Sequence, residues 1–135
     1  MPMSSELESR ILAELEESGE ENVLTLMAAV LQPIIGDARE IEQISAALTS
    51  LVRADLARMA IDVDPVAGGM RALSPDESLA CIAALAANLR YDTHWTHMFD
   101  KAPLAFAVLT DRGLAMATEI LDARGVQWWR PRALV

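Results

Sequence analysis

The sequence predicts a mainly α-helical domain that carries a small two-stranded antiparallel sheet. Three observations lead there. Four stretches repeat apolar residues at helical spacing behind recognisable N-caps. Two short runs, 56–63 and 104–109, read as strands. Hydrophobic residues make up 53% of the 135, ample for a core, and the length suits one domain rather than two. The expected arrangement is a three-helix core, the two strands with residues 64–103 inserted between them, a closing helix, and a tail over 126–135. Residues 1–135 thus form a single domain.

The first helix opens on a capping box, Ser5-Glu6-Leu7-Glu8, and aligns Leu7, Ile11, Leu12 and Leu15 on one face before Gly19. A second, over about 22–31, is apolar nearly all the way round (Val23, Leu24, Leu26, Met27, Val30, Leu31) and stops before Pro33. Such a helix is either central in a core or half in a subunit interface. Asp37-Ala38-Arg39-Glu40 is a second box, and Ile41, Ile44, Leu48, Leu51 and Val52 follow as a stripe. The opposite face of this third helix shows Arg39, Glu40, Glu42, Gln43, Ala46, Ala47, Thr49, Ser50 and Arg53.

Residues 56–63 alternate, with Met59, Ile61 and Val63 on one side and Arg58, Ala60 and Asp62 on the other. Asp64-Pro65 and Gly68-Gly69 mark a turn. Ser74-Pro75-Asp76-Glu77 starts the inserted helix, whose Leu79, Ile82, Leu85 and Leu89 carry it to about Arg90. After the strand at 104–109, Thr110 caps a closing helix to about Ala123. Leu114, Ala117, Ile120, Leu121 and Arg124 form its stripe, and Gly125 ends it.

Charge bears on function. The net charge is −9. Residues 1–42 hold ten acids against Arg10 and Arg39, a balance of −8. A duplex-binding surface needs several cationic side chains, so this balance counts against nucleic acid. No apolar run approaches the roughly 20 residues of a membrane span, so no membrane partner is expected. One cysteine, Cys81, cannot form an internal disulfide, which suits a reducing cytoplasm. Within its Ala-rich helix it is expected to be buried and unreactive. His94 and His97, three apart, would share a helix face and could hold one metal with Asp92 or Asp100; no second ligand cluster supports them, and no metal or cofactor is assigned. With Trp95, Met98 and Phe99 they read better as the edge of an apolar plug. No nucleophile-base-orienter set and no Gly-rich phosphate loop is present, so no enzyme is expected.

The order helix, helix, helix, strand, strand, helix, with residues 44–56 (ISAALTSLVRADL) and 106–117 (FAVLTDRGLAMA), resembles the winged helix-turn-helix of MarR- and PadR-type transcription regulators. The resemblance implies a dimeric DNA-binding regulator. Its third helix would enter the major groove with Gln43 on adenine and Arg39 or Arg53 on guanine or phosphate, Thr49 and Ser50 on the same face, and Arg58 and Arg71 steadying phosphates. It also implies a homodimer. Candidate surfaces are the second helix (Leu26, Met27, Val30), the closing helix (Leu114, Ile120, Leu121) and Trp128 with Trp129. Two departures stand out: Asp55 occupies a position where the family often has glycine, and roughly forty residues replace the usual short wing hairpin. The other expectation is therefore an acidic winged-helix scaffold for a protein partner, without DNA binding.

Overall fold

The computed structural model describes residues 5–64, 69–97, 104–125 and 128–129. Helix α1 (Glu6–Ser18) begins at the expected cap, with Ser5 Oγ accepting the Glu8 N–H at 3.1 Å, but the Glu8 carboxylate takes the Ser5 hydroxyl rather than closing the box on its backbone N–H. Strand β1 (Glu20–Asn22) follows at once, and the Asn22 side chain then caps α2 (Val23–Val30). Helix α3 (Ala38–Arg53) starts at Asp37. The three helices converge through Ile11, Leu12 and Leu15 from α1, Leu26, Met27 and Val30 from α2, and Ile44, Leu48 and Leu51 from α3, all essentially inaccessible to solvent. Removing that apolar surface from water is what holds the helices together.

The chain is mainly helical with a small antiparallel sheet. The expected pairing across the insertion is present. Strand β2 (Ala57–Asp64) runs beside β6 (Ala105–Leu109), with Ala57 opposite Leu109, Met59 opposite Ala107 and Ile61 opposite Ala105. The sheet is larger than expected, four strands in the order β1-β6-β2-β3, the last of them Gly69–Ala72. Polar β1 adds to the free edge of β6 through its backbone, and β3 folds back on β2. Three polar residues give no hydrophobic alternation, so β1 leaves no signal in the sequence.

The insertion also differs. The expected helix to Arg90 divides into α4 (Pro75–Ala83) and α5 (Leu85–Asn88), then gives way to a hairpin of β4 (Leu89–Tyr91) and β5 (Trp95–His97). Tyr91 and Trp95 pair across that hairpin edge to face at 5.4 Å, a cross-strand contact that competes with continued helix. His94 and His97 therefore lie on a hairpin and not on one helix face. Met98 and Phe99 lie outside the described residues. Helix α4 belongs to the core rather than to an appendage. Its wholly buried Ser78 accepts the Met59 N–H at 2.9 Å, supplying β2 with a partner where β3 has ended.

The corner after α3 is held from both sides. Thr110 caps α6 (Asp111–Arg124), donates its hydroxyl to the Asp55 carbonyl at 2.6 Å, and gives its N–H to the Leu56 carbonyl at 3.0 Å. Asp55 sits at φ 63, the left-handed region, and pairs with Arg58. Glycine adopts that conformation without steric cost. Asp55→Gly is expected to exchange the strain for the ion pair and shift stability by less than about 1 kcal/mol in urea denaturation. A loss of twice that would show that the Arg58 contact, and not the backbone, fixes the turn.

Candidate interaction surfaces

The outer face of α3 carries Arg39, Gln43, Ser50 and Arg53 at its solvent side, with Thr49 half-buried. Arg39 and Arg53 stand at opposite ends, about 21 Å apart at the helical rise. Carboxylates lie between and beside them. Arg39 grips Asp37 at 2.8 Å and holds that carboxyl below its usual range. Ser50 donates to Glu8 of α1 at 3.2 Å, and Glu42 is exposed on the same face. Arg58 is engaged by Asp55, and Arg71 on β3 lies 3.8 Å from Glu77. Of the four arginines, only Arg53 has no carboxylate within ion-pair distance among the described residues. Helix α4 packs along one flank, leaving a cleft lined by Ser45, Ala46, Thr49 and Arg53 from α3 with Leu79 and Ile82 from α4.

Glu40 departs from its expected place. It lies on the buried side of α3, 5% exposed, as does Ala47. Its carboxylate accepts the backbone N–H of Ile35 at 2.8 Å, that of Gly36 at 3.0 Å and the indole N–H of Trp95 at 2.8 Å. Burial pushes such a carboxyl up, but these donors outweigh it and keep Glu40 below its ordinary value. No cation is needed because three N–H dipoles converge on the charge. The contact ties the first turn of α3 to the 34–36 loop and to the hairpin of the insertion. Gly36 fits closely under the hairpin: a Cβ there would lie 2.6 Å from the Tyr91 ring.

Beside this clamp runs an open groove of about 940 Å³ between α2 and the β4–β5 hairpin. Leu24, Ala28, Ile34, Tyr91, Trp95 and Leu104 give it its apolar walls, with Asn22, Thr25, His94, Thr96 and His97 as the polar members. Among the described residues no Asp, Glu, Lys or Arg lines it. Ile35, next in the chain to the lining residue Ile34, is 69% exposed, and Tyr91 is 37% exposed; these are two of the three exposed large hydrophobic residues among those described. The third is Leu114 on α6.

Leu26, Met27 and Val30 are fully buried between α1 and α3, so they are core and offer nothing to a second subunit. Leu114 projects outward at 47% exposure while Gly113 and Ala117 face the core. Ile120 and Leu121 are half-buried. Trp128 packs its ring over the Arg124 guanidinium at 3.6 Å and meets Trp129 edge to face at 5.0 Å. Arg124 in turn pairs with Glu6, so the C-terminal aromatics dock near α1. Cys81 is half-buried and its thiol is pushed up by burial, away from thiolate chemistry. Among the described residues no group of His, Cys, Asp or Glu is placed to hold a metal ion. No helix among them is long and apolar enough to cross a membrane.

Compared with protein families, with curated proteins and with solved structures, the chain has no match.

Proposed function

We propose that this chain is a winged-helix-like module that works by gripping a protein surface, not by reading a duplex. Support for the winged-helix reading is the run α1, β1, α2, α3, β2, β6, α6, with β1 and β2 flanking β6 in one antiparallel sheet. The observation that carries the function is the groove beside α2. It is wide and mostly apolar, and in a chain of net charge −9 no Asp, Glu, Lys or Arg among the described residues lines it. Large apolar recesses on a protein surface mark sites of association.

The second reading is the DNA-binding regulator, favoured by the exposure of Arg39, Gln43 and Arg53 on α3. Carboxylate pairing of three of the four candidate arginines weighs against it, because phosphates would have to displace Asp37, Asp55 and Glu77. Neither reading assigns a catalytic residue or a cofactor. Fluorescence anisotropy of a labelled random-sequence duplex, titrated with the full chain at low salt, separates the two. The protein-gripping module leaves the duplex free. Saturable binding that weakens steeply as salt rises would hand the case to the regulator.

A further inference from the structure

We propose that the cleft between α3 and α4 receives a helix of another protein, about three turns long, with acids in its first turn, bases in its last and small apolar residues between. The proposal rests on the protein-gripping reading and gives it a second surface, separate from the groove beside α2. The cleft has a volume of about 760 Å³, and both of its walls are helices. Ala46, Thr49 and Arg53 stand on the α3 wall; Leu79 and Ala83, one turn apart, stand on the α4 wall with buried Ile82 beside them. Small side chains on both walls let a third helix lie between them at an ordinary interhelical distance.

Charge selects the occupant and its direction. Glu42, Ala46, Thr49 and Arg53 are spaced i, i+4, i+7 and i+11, so they follow one stripe of α3. The two charges stand about 16 Å apart at the helical rise. Both are exposed, and neither is in an ion pair among the described residues. Arg39, one turn before Glu42, is already held by Asp37. A partner's base therefore belongs at Glu42 and its acid at Arg53. A helix parallel to α3 meets that demand with its bases first, an antiparallel one with its acids first. The helix dipole favours acids at an N-terminus and bases at a C-terminus, so the antiparallel helix is the occupant. A second copy of α3 carries its charges in the same order, but its stripe is the wall of a recess and does not protrude to fill one.

The probe is a fluorescein-labelled synthetic peptide of that length, with two Asp in its first turn, two Lys in its last, and Leu and Ala on one face between. A side-chain bridge on the opposite face holds it helical. Anisotropy is read as the full chain is added. The wild type is expected to bind it saturably. A peptide with Asp and Lys exchanged is expected to bind at least about fivefold more weakly, because two exposed attractions become repulsions. The Glu42→Arg, Arg53→Glu double variant, altered only at exposed positions, is expected to invert that preference. Ala83→Arg fills the cleft and is expected to abolish binding, whereas Ala28→Arg in the groove beside α2 is expected to leave it unchanged. Thermal unfolding of each variant establishes that it is folded. No saturable binding up to millimolar chain overturns the proposal, as does a preference that the double variant fails to invert. Binding that survives Ala83→Arg, or is lost in Ala28→Arg, also overturns it. Self-association of the wild type in sedimentation velocity that Ala83→Arg abolishes would give the cleft to a second copy and overturn it too. Failure of the underlying reading appears separately, as binding of the random-sequence duplex.

Discussion

Gly113→Ala is expected to destabilise the fold by on the order of 3 kcal/mol. At an exposed helical position the same change would stabilise by roughly 1 kcal/mol, because alanine loses less backbone freedom on folding. Here sterics decide. Gly113 is buried in the first turn of α6, and a Cβ built on it would lie 1.8 Å from the Leu56 carbonyl oxygen. That oxygen belongs to the backbone and already accepts the Thr110 N–H at 3.0 Å, so it cannot retreat without opening the corner that joins α3, β2 and α6. Urea denaturation reads the effect directly. An unchanged midpoint would mean that α6 is free to shift and that the corner does not fix it.

The second large effect is at Glu40. Glu40→Gln is expected to lose about 2 to 3 kcal/mol at neutral pH. One carboxylate oxygen takes N–H groups from Gly36 and Trp95, the other takes one from Ile35. An amide can replace the first oxygen, but its NH₂ then confronts the Ile35 N–H and leaves a buried donor without an acceptor. The pH dependence has a defined sign. The folded-state carboxyl lies below its ordinary value of 4.5, so its stabilisation is complete above that value and is lost as pH falls through the folded one. Denaturation of wild type and variant at pH 7 and in acid should therefore show a gap that narrows on acidification. A gap that stays constant would mean that size, and not charge, makes Glu40 fit its site.

These two sites also show how far the sequence can be read. The Leu109-to-Gly113 junction was legible because local chemistry defines it: Thr110 caps, and glycine follows three residues later. The stripe of α3 and the caps of α1 and α4 were legible for the same reason, whereas the pairing of β2 with β6 across the insertion was expected from the winged-helix resemblance. Glu40 was not. On a helical wheel it borders the polar face, and its partners include Trp95, 55 positions away. Nothing local announces that an indole and two backbone amides will enclose it. The hairpin of β4 and β5 was hidden because helical periodicity continued through Leu85 and Leu89, while the Tyr91–Trp95 pair that ends it is a tertiary contact. Helix α2, apolar all round, left core and interface undecided. Burial of Leu26, Met27 and Val30 turns that helix's apolar side inward, while Leu24 and Ala28 face the groove. The groove itself is built from segments far apart in the chain, so no stretch of sequence displays it.

Amide chemical-shift mapping of the full chain reads, residue by residue, which surface does the work. Addition of a random-sequence duplex is expected to leave Arg39, Gln43 and Arg53 unmoved. Saturable shifts of Arg39, Gln43 and Arg53 on adding the duplex would contradict the protein-gripping reading.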